Sequence, residues 1–264
     1  RQVIIGAGVH GLATAYYLAK IGITNVAVFD KGYVGGGGSA RSTAIIRANY
    51  LTVEAIPFFR ESLLLYEQLS KEFKFNILFN QMGRLDLGHS ESDIYNLNLR
   101  AEFNQALGVD SRIIKPEEIE KIEPRLDLRK GKHHPVLAAL WHSPAGTVRH
   151  DAVVWGYARA ASKLGVEIFP FTEVKGFIKS TSIIKGIDTD KGEVFADTVV
   201  NATAAWSSDV MSLIGVTLPI ITYPLQAMVT EPLKPILSAT ISSPKLHAYA
   251  YQTCLLYTSD AADE

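Results

Sequence analysis

Apolar residues along this chain fall into solid runs, alternating stretches and helical repeats, and the three patterns sort it into elements. Val3-Ile4-Ile5 and Val26-Ala27-Val28-Phe29 are solid runs of strand length, the form taken by strands buried on both faces. Between them Leu12, Ala15, Leu18 and Ala19 recur at helical spacing, and Gly22 stands where a helix C-cap belongs. Residues 54–72 read as an amphipathic helix with Ile56, Phe59, Leu63, Tyr66 and Leu69 on one face. Residues 91–107 predict another, entered near Ser90 or Ser92 and ended at Gly108. A short helix starts at Pro116, a good first-turn residue, and stops before Pro124. Met82-Gly83-Arg84-Leu85-Asp86-Leu87 alternates as a strand does.

Beyond residue 150 the pattern changes. Asp151 caps a predicted helix carrying Val154, Tyr157, Ala161 and Leu164 and closing at Gly165. A strand over 166–169 follows, then a β meander through Val174, Ile184, Ile187 and Val194. Thr198-Val199-Val200 returns as a buried strand into Asn201-Ala202-Thr203-Ala204-Ala205-Trp206. Nucleotide-domain patterns therefore stand at both 1–50 and 150–206, with different material between. The expectation is an α/β fold: a Rossmann-like domain with a parallel sheet and β meander over 1–80 and 145–206. An α+β domain of sheet and helices, over 81–144 and 207–253, interrupts it.

The chemistry sits first at the turn between the opening strand and helix. Gly6-Ala7-Gly8-Val9-His10-Gly11, with Asp30 ending the second strand, is the form of a dinucleotide-binding βαβ unit. Gly6 permits the tight turn, Gly8 lets the backbone approach a pyrophosphate, and Gly11 lets the helix lie close on the sheet. The helix N-terminus offers free N–H groups and a positive dipole end to the phosphates. Asp30 stands where a carboxylate accepts from a ribose hydroxyl, and no basic partner for a 2′-phosphate is directly at hand.

Next comes Gly35-Gly36-Gly37-Gly38-Ser39-Ala40-Arg41-Ser42-Thr43, too glycine-rich for a helix or strand. A Gly/Ser run also fits a surface linker. Placed directly after a nucleotide-binding strand, it reads as a loop passing close to a ligand, with Ser39, Arg41, Ser42 and Thr43 as donors to phosphate oxygens.

Bulk properties narrow the classes. The chain has 264 residues, a formal net charge of −1 and 47% hydrophobic residues, an ordinary globular composition. A near-neutral balance argues against nucleic acid as the main partner. No apolar run reaches the roughly 18 residues that span a bilayer, and no signal-peptide pattern precedes the first strand. The single cysteine, Cys254, excludes an internal disulfide framework and fits a cytoplasmic setting. Residues 254–264 read as a non-native tail, the translated form of a sequencing adapter. His133-His134 and His142 lack a cysteine companion, and Pro135 and Pro144 place them in irregular loops, which makes a metal site an unfavoured reading. Trp141, Trp155 and Trp206 read as packing residues.

Taken together these residues resemble the FAD-dependent amine and amino-acid oxidoreductases, which include D-amino-acid oxidase and glycine oxidase. The resemblance covers 1–253 and rests on the glycine motif, the 35–43 loop, Ile45-Ile46-Arg47, Gly146-Thr147-Val148-Arg149-His150-Asp151 and Val199-Val200-Asn201-Ala202-Thr203, in the family's order. Within the family, His10 and the 150–159 stretch look like the β-subunit group of heterotetrameric sarcosine oxidases.

The resemblance implies a noncovalent FAD touching Gly6, Gly8, Val9, His10, Gly11, Asp30, Lys31, Gly38, Ser39, Arg41, Ser42, Thr43, Ala202, Thr203 and the main chain near Val174. It implies an FMN joined covalently to His150, which by its sequence setting alone reads as a helix-flanking surface residue. It implies that Arg47 holds a substrate carboxylate, a planar guanidinium suiting that partner; an ion pair is the other reading of Arg47. The implied partners are a small-molecule amine substrate and the α, γ and δ subunits of the heterotetramer, with neither nucleic acid nor membrane. The implied reaction is flavin-dependent oxidation of sarcosine to glycine and a one-carbon unit, formaldehyde or methylene-tetrahydrofolate, with hydrogen peroxide formed. Two other functions stay open: a dehydrogenase of another secondary amine or amino acid, and a noncatalytic flavin-binding scaffold subunit.

Two positions depart from the family pattern, Ala44 where monomeric relatives carry an arginine and Ala204 where a glycine is usual. The family's last third, with a further glycine loop and a lysine, is not in this sequence, so turnover by these residues alone is not expected.

Overall fold

The computed structural model describes residues 1–128, 133–253 and 258–262, the last of these as backbone. In chain order the elements open with β1 (Gln2–Ile5), α1 (Val9–Lys20), β2 (Val26–Phe29), β3 (Ile45–Ile46) and α2 (Ala55–Phe73). There follow β4 (Arg84–Gly88), α3 (Glu91–Ala106), β5 (Arg112–Ile114), α4 (Pro116–Ile122), β6 (Ala138–His142) and β7 (Gly146–Thr147). Next are α5 (His150–Lys163), β8 (Glu167–Phe169), β9 (Val174–Ser180), β10 (Ile183–Thr189), β11 (Gly192–Phe195), β12 (Thr198–Asn201) and α6 (Ser207–Ser212). Last come β13 (Met228–Val229), β14 (Thr240–Ser243), β15 (Ala248–Gln252) and β16 (Thr258–Ala262). Cys254 lies outside the described residues, whereas Thr258–Ala262, within the expected tail, pairs antiparallel with β15.

Two compact units share these elements. The first comprises Arg1–Ser42, Lys71–Ile77 and Arg149–Tyr223. Its parallel sheet runs in the order β12-β1-β2-β8, the expected Rossmann-like arrangement. Val3, Ile5, Ala27 and Phe29 pack from one face onto Ile187 and Ala196 of the antiparallel β9–β11 meander. The alternate residues Ile4 and Val28 are fully buried, as are Leu12 and Ala15 of α1. The Ile4, Val28 and Leu12 side chains each contribute about 1.5–3 kcal/mol when withdrawn from water. Phe73 meets Tyr16 and Tyr157 edge-on, so the last turn of α2 belongs to this unit.

The second unit comprises Thr43–Ser70, Leu78–Val148 and Pro224–Glu264. Its mixed seven-stranded sheet places β4 between β14, which it pairs in parallel, and β6, which it pairs antiparallel. Leu85 and Leu87 point into a core with Ile114, Ile119 and Ala139. Leu97 and Ala101 of α3 pack with Leu140. Ser90 caps α3 by accepting from Asp93 N at 3.1 Å.

The unit boundaries differ from the domain limits expected from sequence. Residues 43–70 join the second unit because Ala48, Ile56 and Leu63 form a cluster with Val109, flanked by Phe79 and Leu107. Residues 207–223 stay with the first, where Val210 packs against the Val3–Ile5 cluster. Three local expectations also change. β12 lies at the sheet edge with Thr198 exposed and the rest half-buried, instead of being a buried strand. The helix expected to be capped by Asp151 starts two residues sooner, with Arg149 as N-cap; Asp151 sits in the first turn, where its charge meets the positive helix end. The glycine loop contains one 3₁₀ turn, Gly38–Arg41.

Candidate functional site

In the first unit the site is built mostly from backbone. Gly6 sits at φ +109°, and a Cβ there would stand 2.5 Å from the Ala202 carbonyl oxygen. A Cβ at Gly11 would stand 1.9 Å from the Gly6 carbonyl oxygen, so α1 reaches the turn only because both positions lack side chains. Gly8, the N-cap of α1, has room: an added Cβ meets only Ser39 Oγ, at 3.1 Å. Val9 N donates to that hydroxyl at 3.0 Å, which ties the glycine loop to the helix start. The first turn of α1 carries no acidic residue, leaving its positive end open to a phosphate.

Asp30 braces the same turn. Its carboxylate accepts from Ala7 N at 2.7 Å and Gly32 N at 2.8 Å, and each oxygen keeps a second lone pair for a ribose hydroxyl. Gly35 N donates to Ala7 O at 2.9 Å. The Arg41 guanidinium donates to the carbonyls of Gly36 and Gly37; it fastens the loop around Gly38 on itself. Ser42 N reaches Ser39 O at 3.4 Å. Lys31 Nζ lies 4.7 Å from the centre of the Trp206 ring, a cation–π contact. Ala202 N donates to Ile5 O at 2.8 Å, and Thr203 Oγ1 donates to Asn201 Oδ1 at 2.6 Å. Val174 opens β9, half-buried beside the Val3–Ile5 cluster.

The other expected residues lie outside these hydrogen bonds. His10 is exposed on α1 and lines a shallow groove of about 520 Å³ with Ala13, Thr14, Tyr17, Leu18 and Ile21, and no other candidate cofactor residue lines it. Thr43 belongs to the second unit. His150 is the half-buried first residue of α5, and among the described residues its imidazole makes no hydrogen bond. Trp155 is 63% exposed, against the expectation of a packing residue. Ala204 adopts φ +51°, the left-handed region that a glycine takes without cost.

In the second unit the site is built from side chains. Arg47 Nη1 donates to Asn49 O at 3.0 Å and Asn49 Oδ1 at 3.2 Å. Its guanidinium lies 4.0 Å from the centre of the Tyr50 ring, which stacks on Phe59 at 3.6 Å. Asn49 Nδ2 donates to Asp86 Oδ2 at 2.9 Å. Asp86, 1% exposed, takes Arg84 on its other oxygen at 2.7 Å and has Arg100 at 3.4 Å. Burial alone would raise the Asp86 carboxyl, but Arg84, Arg100 and Arg47 outweigh it and hold the group well below the usual carboxylate range. Burial, with Arg84 beside it, brings Arg47 down to about 10, still a cation at neutral pH.

His142 closes the cluster. Expected in an irregular loop, it ends β6, fully buried. Its Nε2 accepts from Ala48 N at 3.1 Å while Nδ1 faces Asp110 O at 2.5 Å; these partners fix the neutral tautomer with its proton on Nδ1, and burial lowers its pKa. Asn49, Asp86, Arg84, Arg100 and His142 were not candidates from sequence. One signal existed: Arg84 and Asp86 alternate with two core leucines in a central strand, so they occupy its opposite face, which is also covered. Among the described residues no group of three or more His, Cys, Asp or Glu could hold a metal ion, and no helix is long and apolar enough to cross a membrane.

Comparison with known proteins decides the family. The family model for FAD-dependent oxidoreductases matches residues 1–259. The chain belongs to this family. It is 42% identical over 251 residues to sarcosine oxidase subunit beta of Arthrobacter sp., covering 95% of this chain and 62% of that protein. It is 39% identical to the subunit of the same name from Rhodobacter capsulatus, over 95% of this chain and 61% of that protein. The chain therefore spans about three fifths of the length of these relatives. Among solved structures it resembles L-proline dehydrogenase from P. horikoshii, with a TM-score of 0.91 and 30% identity over 100% of this chain and 70% of that one.

FAD is the cofactor of this family, and the first unit fits it: a cradle that side chains at Gly6 and Gly11 would fill, and a helix N-terminus free of acids.

Proposed function

We propose that this chain is part of a β subunit that oxidises sarcosine or a closely similar N-alkyl amino acid. The observation that carries the reading is Arg47: a half-buried cation with no carboxylate partner among the described residues, in a family whose β subunits are 39–42% identical to this chain. A free guanidinium held on neutral oxygens is ready for the carboxylate of an amino acid. Gly6, Gly8, Val9, Gly11, Asp30, Gly38, Ser39, Arg41, Ser42, Ala202, Thr203 and the Val174 main chain would hold the FAD, with Lys31, His10 and Thr43 at its margins. FAD, when bound, accepts the two electrons that turn the substrate's C–N bond into an imine. The protein's share is to hold the carboxylate and to orient the amine.

His150 is proposed as the attachment point of a second flavin, FMN, at a surface shared with α, γ and δ subunits. A half-buried imidazole with neither nitrogen hydrogen-bonded among the described residues is chemically free to be alkylated there. The products proposed are glycine, a one-carbon unit and hydrogen peroxide. A second reading is a dehydrogenase of a cyclic secondary amino acid, and the 0.91 TM-score to an L-proline dehydrogenase favours it.

The test uses the full-length protein with its partner subunits. Anaerobic sarcosine should bleach the bound flavin faster than L-proline does. After denaturation and trypsin, flavin should stay on the peptide ending at Arg159. Bleaching by L-proline alone, with only free FAD released, would put the dehydrogenase reading first.

A further inference from the structure

Arg47 is held by neutral oxygens, yet the group that fixes those oxygens is an anion one step removed. Asn49, fully buried, presents Oδ1 to Arg47 and Nδ2 to Asp86. The amide has only that orientation available, because its N–H₂ cannot face a guanidinium and its oxygen cannot face a carboxylate. Arg100 Nε fixes the Asn49 carbonyl at 2.7 Å, the same oxygen that Arg47 uses. Arg84 on Oδ1 and Arg100 beside Oδ2 hold Asp86 ionised.

We infer that Asp86 is a positioning residue: through the Asn49 amide it aims Arg47 at the substrate carboxylate without pairing with it. The inference rests on the reading of Arg47 given above. A carboxylate in direct contact with Arg47 would compete with substrate. Asp86 instead spends its charge on Arg84 and Arg100, and transmits only direction. Three guanidinium groups around one carboxylate leave the cluster positive, and a small mono-anionic ligand is the partner that completes it.

Coulomb's law and positioning predict opposite signs for one substitution. Asp86→Asn removes a negative charge near the ligand, so field effects alone would tighten anion binding. Loss of the Asn49 anchor would loosen it. In the full-length holoenzyme, acetate and uncharged acetamide serve as probes, read by perturbation of flavin absorbance. Asp86→Asn should weaken acetate about tenfold and leave acetamide unchanged, raising KM for the amino acid more than it lowers kcat. Asn49→Ala should give the same loss, and the double variant no further loss, because both act on one path. Where Asp86→Asn fails to fold, Asn49→Ala alone decides. Tighter or unchanged acetate binding in whichever variant folds overturns the inference. Arg47→Ala separates the two claims: if it leaves acetate binding intact, the reading of Arg47 itself has failed.

Discussion

The two units build their candidate sites by different means. In the first, the candidate surface is backbone: two glycines without which α1 could not approach the turn, and amides aimed from a helix start. In the second it is side chain: arginines, an asparagine and an aspartate from β4, α3 and the segment after β3. A backbone site is spelled out locally and tolerates almost no change at its glycines. A side-chain site is assembled from distant positions and fails by degrees.

The comparison breaks most sharply at Gly11. Gly11→Ala drives a Cβ against the Gly6 carbonyl, a backbone atom that cannot step aside. It should cost at least about 2 kcal/mol and abolish FAD retention, measured by thermal melting and by flavin absorbance after gel filtration. Gly8→Ala is the control, since it meets one serine hydroxyl only. It should leave the melting temperature near that of the parent and weaken FAD alone. Equal destabilisation by both would mean that packing, not phosphate approach, explains Gly8.

A smaller effect, and a graded one, is expected at Asp86. Its folded pKa lies below the ordinary 3.8, so its stabilising contribution is complete above about pH 4 and is lost as pH falls through the folded value. The parent should lose melting temperature on acidification through that window, whereas Asp86→Asn should be less stable at neutral pH and flatter across it. Parallel acid limbs for the two would show that other carboxylates govern acid unfolding.

The smallest effect is at Ala204. Ala204→Gly relieves a left-handed backbone at φ +51° on an exposed residue and should raise stability by about 0.5–1 kcal/mol, read as a higher denaturant midpoint at unchanged slope.

Sequence reading succeeded where structure is local. The Gly6–Gly11 turn, the Ser90 cap and the Pro116 helix start each follow from neighbours a few residues away, and with them the parallel sheet and its helices. It missed the Asp86 cluster because Asn49 meets Asp86 and Arg100 across 37 and 51 residues, separations no periodicity encodes. It placed 43–70 in the other domain for a related reason: adjacency in sequence to the glycine loop says nothing about which core Ile56 and Leu63 enter. Asp151 was mistaken for a cap because an acid near a helix start serves equally well two positions past the cap.

The sheet order of the first unit also has a consequence for synthesis. β1 is an inner strand whose neighbour on one side, β12, lies near the other end of the unit in sequence. While a ribosome adds the roughly 190 intervening residues, at about 5–20 per second, the Val3-Ile4-Ile5 backbone has one hydrogen-bonding edge bare for on the order of ten seconds or more. An apolar edge waiting that long is a template for another nascent chain. The nucleotide fold thus sets a demand for chaperone cover early in translation, and that demand ends when Thr198–Asn201 emerges and docks.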